Sequence, residues 1–379
     1  MTVKPVDSTA GWYVNAAARS WRTSPLDSTI REFHRSLPGY APTPLVAVPE
    51  IAATVNMGSV FVKDESQRLG LPAFKILGAS YAISRALSAR LDAADRALSL
   101  EELRDRLGSS SKLSLAAATD GNHGRAVAHV ANLLGLPATI YVPDGVSQAA
   151  KHAIVGEGAT LFVLDVPYDD VVQHAKSVST GDVVLIQDTA WSGYEDIPQW
   201  IVDGYDTMFA EIDEQLREAG IDHVDLVVAP SGVGSFAQAV VAHYRSTEHV
   251  PAVLSVEPDT ASSVTSSLNA GQLTSVFTAD TIMTGLNCGT VSDLAWPILQ
   301  AGLDASVTVA DSDAADAVRD LAQQGVDSGP CGASTLAGAR AVLSHPDRRA
   351  ALGLTTESVI VLLSTEGRAA NPKGFGSTI

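Results

Sequence analysis

One lysine stands where a cation is electrostatically awkward. Phe74-Lys75 leads into ILGASYAISRAL, an apolar-periodic stretch that reads as a helix, so Lys75 falls at the helix start. The dipole there disfavours an ammonium and lowers its pKa, which suits an imine-forming lysine. A solvated surface lysine is the commoner case, but the apolar flanks LPAF and ILGA speak against it. A second cluster is Thr119-Asp120-Gly121-Asn122-His123-Gly124, between an apolar strand and a helix. Its polar groups and amides could receive a carboxylate, whereas the plainer reading is a helix cap by Thr119 or Asp120. His123 is expected to be structural. A third is Ser231-Gly232-Val233-Gly234-Ser235, a strand-to-helix turn whose amides and hydroxyls could cradle a phosphate. The same window also fits GxGxxA, with Glu257 at the distance of a ribose-binding acid, so an NAD dehydrogenase stays open on these residues alone. Finally, Asp188 follows the apolar run VVLIQ and could serve as a general base; a turn or cap residue is an equal competitor.

These groups need elements that bring them together. Short β-branched runs alternate with helical patterns along the chain. Strands are expected at 59–63, 113–119, 138–142, 160–164, 183–187, 225–229, 252–256, 306–309 and 358–363. Helices are expected at 76–91, 125–134, 148–157, 199–217, 236–244, 313–324 and 334–343. Several strands are continuously apolar, as strands covered on both faces must be. The alternation implies an α/β fold with mostly parallel sheets, and the strand number implies two sheets or lobes. Three strands run straight into small-residue loops, LSLAAAT-DGNHG, DLVVAP-SGVGS and SVIVLLS-TEGR. In parallel sheets ligands collect at such carboxyl ends. Residues 93–112 read as a surface helix with a loop, 262–280 as an aperiodic excursion, and 371–379 as a frayed tail.

The composition narrows the field. The 379 residues include 25 Lys+Arg against 43 Asp+Glu, a formal net charge of −18. Such a surface repels phosphate backbones and anionic lipid, so nucleic acid and membrane are not expected partners. At 46% hydrophobic and 18% charged, the chain has the apolar content of a folded protein. Two cysteines without a CxxC pair exclude a zinc ribbon or disulfide scaffold. No metal site is expected. The N-terminus MTVKPVDSTAGWYVN lacks an apolar signal core, and no uninterrupted apolar run reaches about 20 residues. A cytoplasmic location is expected.

Together, FKILGASYA, TDGNHGRAVAHVA, PYDD, QDTAWSGYEDIPQWIVDGY, SGVGSFA, VEPDTA, TIMTGLNCGT and LLSTEG resemble the β-family, or fold type II, of pyridoxal phosphate enzymes. Within it the resemblance is to the diaminopropionate ammonia-lyase family and spans residues 21–368. The resemblance implies a tryptophan synthase β-like α/β fold of two lobes with the cofactor between them. A discontinuous cofactor-binding domain (1–75 and 185–379) would face a smaller substrate-side domain (76–184). Lys75 would carry pyridoxal 5′-phosphate covalently, Asn122 would bond its ring oxygen, and Gly232, Val233, Gly234 and Ser235 would bind its phosphate. Ser364 or Thr365 would face the ring nitrogen. Thr119, Asp120, Gly121 and Asn122 would receive the substrate carboxylate, with Asp188 beside them. The implied reaction is α,β-elimination of ammonia from 2,3-diaminopropionate, giving pyruvate and ammonia. Asp120 would act as base toward the D-enantiomer and Asp188 toward the L-enantiomer. A homodimer is implied as well.

One segment departs from the family. Where the family tends to read SGESGA, this chain reads Ser328-Gly329-Pro330-Cys331-Gly332-Ala333. A carboxylate is lost and proline removes a backbone donor. A β-replacement or dehydratase activity on another β-substituted amino acid is therefore the alternative reading. Cys331 itself is expected to be a small packing residue. A non-catalytic binding protein that retains the fold is the remaining option.

Overall fold

The computed structural model describes residues 11–108, 111–119 and 121–370. Its strands are β1 (Trp12–Val14), β2 (Leu45–Ala47), β3 (Ser59–Asp64), β4 (Ser114–Ala118), β5 (Ala138–Pro143), β6 (Thr160–Leu164), β7 (Val183–Leu185), β8 (Leu226–Pro230), β9 (Ala252–Pro258), β10 (Ala305–Val309) and β11 (Val359–Ser364). They form a seven-stranded sheet in the order β1-β10-β9-β8-β11-β3-β2 and a four-stranded sheet in the order β6-β5-β4-β7. Every neighbouring pair is parallel except at the two edges of the larger sheet, where β1 pairs antiparallel with β10 and β2 with β3. The fold is thus the α/β arrangement of two mostly parallel sheets that the sequence implies.

Burial explains the sequence pattern. β8 (LVVAP) and β9 (AVLSVEP) are buried at every position, so alternation has nothing to distinguish and both read as continuous apolar runs. The larger sheet draws its strands from 12–64 and 226–364, and the smaller from 114–185. A division written at 184/185 cuts within β7, and one at 75/76 cuts after the first residue of the helix Lys75–Arg90.

That helix is central to the site. It crosses the helix Asp196–Gly204 at backbone contact. A Cβ on Gly78 would lie 2.6 Å from the Ile201 carbonyl oxygen, and one on Gly204 would lie 2.7 Å from that of Leu77. Two glycines therefore permit the approach. Just past Gly204 the helix expected as one piece over 199–217 divides into Asp196–Gly204 and Asp206–Glu218. The break inserts Tyr205 into the core, with its ring centroid 4.7 Å from that of Phe74. Phe74 is itself buried and packs 4.5 Å from Phe236. The residue before Lys75 is thereby anchored to the helix Ser235–Tyr244 that follows the glycine turn.

Candidate active site

Lys75 is the first residue of its helix. Two backbone bonds tie the approach to that position: Phe74 N donates to the Thr365 carbonyl (3.1 Å), and Gly367 N to that of Pro72 (2.9 Å). The lysine is thus held to the carboxyl end of β11, while its side chain reaches toward the other sheet. Its Nζ donates to Asp188 Oδ2 at 3.0 Å.

Asp188 lies beyond the carboxyl end of β7. Gln187, just before it, is fixed on three sides: its Oε1 accepts from Ala118 N, its N donates to the Tyr194 hydroxyl, and its Nε2 donates to the Tyr168 hydroxyl. The Ser235 hydroxyl donates to the Asp188 carbonyl at 3.3 Å, linking the two sheets. His123 is buried and lies 4.0 Å from Asp188 Oδ2 through Nδ1, while Nε2 bonds the Ile186 carbonyl at 2.8 Å. A carbonyl only accepts, so Nε2 carries a proton. Burial pushes the Asp188 carboxyl up, but the charges of Lys75 and His123 and the bond from Lys75 outweigh it and hold the group at about 2.

Lys75, Asn122, Asp188, Gly232, Val233, Gly234, Ser235 and Thr365 line one cleft of about 260 Å³. The expected site residues among these are therefore brought together from both sheets. Gly234 has φ +93° and ends the turn before the helix Ser235–Tyr244. The first four amides of that helix have no intrahelical partner. A Cβ on Gly232 would stand 3.0 Å from Cys288 Sγ and 3.2 Å from the Gly285 oxygen. The neighbouring Ser231 hydroxyl is buried without a hydrogen-bond partner. A bare glycine turn, a helix N-terminus and an orphaned hydroxyl fit a phosphate, and Lys75 faces the same cleft. These residues fit pyridoxal phosphate.

The NAD alternative fails on Glu257. That side chain is buried and accepts from Val264 N, Thr265 N and the Thr265 hydroxyl at 2.7–2.8 Å, capping the helix Ser263–Ala270. Burial pushes its carboxyl up to about 7 against those bonds. It is spent inside the fold and offers nothing to a ribose.

Other expected residues stand differently. Thr119 Oγ1 accepts from Gly121 N (2.9 Å) and Gly124 N (3.1 Å), so it caps the helix Asn122–Leu134 and keeps only its own proton for a ligand. Ser364 is buried and donates to the Ser328 hydroxyl at 2.7 Å; Thr365 lines the cleft and Ser364 does not. Asp120 lies outside the described residues. Cys331, expected as packing, is buried but also borders the cleft, as does Cys288. Sequence reasoning missed Glu366. It lines the cleft, where its Oε2 accepts from Asn122 Nδ2 at 3.0 Å and its Oε1 from Cys331 N at 3.3 Å. Its place just past β11 repeats the signal that singled out Asp188.

Residues 37–366 match the family of pyridoxal-phosphate dependent enzymes. The diaminopropionate ammonia-lyase of Escherichia coli (strain K12) is 39% identical over 366 residues, covering 91% of this chain and 90% of its own. That of Salmonella typhimurium (strain LT2) is 36% identical over 376 residues, covering 94% and 92%. The crystal structure of the Escherichia coli enzyme in complex with D-serine superposes with a TM-score of 0.86 at 35% identity, covering 96% of this chain and 95% of that one. The resemblance read from the motifs is borne out. With its lysine, glycine turn and strand-end acids gathered in one cleft, the chain belongs to the pyridoxal-phosphate dependent enzymes, beside the diaminopropionate ammonia-lyases.

Proposed function

We propose that this protein eliminates ammonia from 2,3-diaminopropionate, yielding pyruvate and ammonia. The observation that carries the reading is the 3.0 Å pairing of Lys75 with Asp188 inside the cleft closed by the glycine turn. When bound, pyridoxal phosphate supplies an electron sink for the charge left at the substrate's Cα. The chain's own residues do the rest. Lys75 Nζ is the amine that holds the cofactor, and the amides of Gly232–Ser235 hold its phosphate. Asn122, held by Glu366, presents its amide to the ring oxygen. The turn Thr119–Asn122 takes the substrate carboxylate.

Asp188 Oδ2 accepts the Cα proton of the L-enantiomer, and Asp120 that of the D-enantiomer. Lys75 is the principal influence that keeps the proton affinity of Asp188 low. A Lys75 Nζ engaged with the cofactor would lend Asp188 less positive charge, and burial, opposed still by the charge of His123, would then raise its proton affinity. Two carboxylates also attract a substrate with a second ammonium. The division into 1–75 with 185–379 and 76–184, the homodimer and the cytoplasmic location belong to the same proposal. Phe277, a fully exposed aromatic, is the kind of residue a partner subunit would cover, which light scattering in solution tests. Two cysteines in 379 residues is low usage, as suits a reducing compartment.

Cys331 supports a second reading, β-replacement or dehydration of another β-substituted amino acid, because it borders the cleft where the family tends to carry a different pair. A pyruvate and ammonia assay separates the two. Diaminopropionate is expected to turn over well above serine, threonine or O-acetylserine, and Lys75→Ala is expected to lose both activity and the visible absorbance of bound cofactor. Serine turnover equal to that of diaminopropionate would overturn the first reading.

A further inference from the structure

A second cluster with metal-binding chemistry lies at the opposite end of the larger sheet from the cleft. His223, Asp225 and His249 stand at the amino ends of β8 and β9, with one ligand atom from each lying within 4.8 Å of the others. His223 Nε2 is 3.7 Å from Asp225 Oδ1, and the two imidazole rings meet with centroids 4.2 Å apart at 38°. Ligands bound tetrahedrally at about 2.0–2.1 Å from a zinc ion sit about 3.3 Å apart. His223 and His249 are both exposed, so their imidazoles have room to turn toward that spacing.

The set is also built from behind. Asp225 is pinned as part of the sheet: its N donates to the Val359 carbonyl at 2.9 Å, its own carbonyl accepts from Ala252 N at 2.8 Å, and its Oδ2 accepts from Val359 N at 2.8 Å. This leaves Oδ1 turned to His223. A ligating carboxylate held in this way is oriented toward its metal. His223 and His249 border a cavity of about 320 Å³ that Tyr244 also lines, and the buried Tyr244 hydroxyl has no hydrogen-bond partner.

His243 shows what a non-ligating histidine looks like here. It is clamped between Asp206 (2.7 Å) and Asp213 (3.0 Å), and although burial opposes its charge the two carboxylates carry it up to about 9. With both nitrogens donating it has no lone pair to offer. No other group of three His, Cys, Asp or Glu side chains among the described residues converges in this way.

We propose that His223, Asp225 and His249 bind one divalent first-row transition-metal ion of the zinc class, with the fourth position open to water. Two imidazoles and one carboxylate favour such an ion over magnesium or calcium, which prefer all-oxygen shells. The ion joins the loops entering β8 and β9, the strand ends that lie opposite the phosphate turn and Glu257, so its part is to brace the sheet rather than to take part in the reaction.

Equilibrium dialysis of cofactor-loaded protein against zinc chloride, read by elemental mass spectrometry, is expected to give one zinc per chain, unaffected by excess magnesium. Zinc is expected to raise Tm by about 3 °C. His223→Ala and His249→Ala are each expected to weaken binding at least about tenfold, with His223→Gln and His249→Gln as milder counterparts. Unchanged cofactor absorbance in each variant shows that it has folded. Failure of the wild-type protein to bind zinc stoichiometrically would overturn the proposal, as would undiminished binding in both alanine variants.

Discussion

Asp188 shows how one residue's surroundings set its chemistry. Its carboxylate is kept ionised by a lysine and a histidine despite burial, and its carbonyl accepts from the Ser235 hydroxyl across the cleft. If it is the base for one face of the substrate, Asp188→Asn should lower kcat on the L-enantiomer by about 10²–10⁴-fold, leave cofactor retention intact and spare the D-enantiomer. Asp120→Asn should do the reverse. Steady-state rates on both enantiomers check this, and an equal loss on both from either variant would remove the assignment of faces. Residue types carried much of this in advance. Lys75 stands out because an ammonium is odd at a helix start, whereas Asn122, Asp188 and the glycine turn take their roles from the resemblance. Glu366 does not stand out, since a glutamate beside glycine at a strand end looks like any turn residue until Asn122 is seen to bond it. Ser364 and Thr365 are adjacent hydroxyls on a strand end, and only the pleat decides which of them faces the cleft.

The helices Asp206–Glu218 and Ser235–Tyr244 are joined by His243 between Asp206 and Asp213. Burial acts against the imidazolium, yet the two carboxylates raise it to about 9. Because the folded value exceeds the ordinary 6.5, the contribution to stability is complete below about pH 6.5. It is lost as pH climbs through about 9. Its ceiling is about 3 kcal/mol. Urea unfolding at pH 6 and pH 9.5 should therefore show a fall in stability that His243→Gln largely flattens; an identical pH dependence in the variant would place the effect elsewhere. Elements of this kind were legible where periodicity was unbroken. The three-residue edge strands β1 and β2 were not, because a half-exposed strand that short carries no apolar run. The helix Ser263–Ala270 hides in a Ser- and Thr-rich stretch of weak propensity and is held by the buried Glu257, a tertiary contact that no local window contains.

At the scale of the molecule, the sequence announces two lobes through its strand count but not how they communicate. The structure shows that the cleft is the seam. Lys75 and the glycine turn stand at carboxyl ends of the seven-stranded sheet, Asn122 and Asp188 at those of the four-stranded sheet, and the direct links across it include Lys75–Asp188, Ser235–Asp188 and Asn122–Glu366. A cofactor held by Lys75 and the turn on one side and by Asn122 on the other would cross that seam, so its removal should loosen both lobes together. At about a hundredfold excess over Kd a ligand contributes about 2.7 kcal/mol. For a protein of this size stripping the cofactor should then lower Tm by about 4 °C. Hydrogen exchange gives the sharper reading. Protection should fall both at 231–236, where the phosphate would sit, and at 122–126, where the ring would sit, and should return in both on reconstitution. Loss confined to the glycine turn would mean that the cofactor touches one sheet only. Asn122 would then be bound to Glu366 for the sake of the fold, and the bridging role given to the cleft would fall.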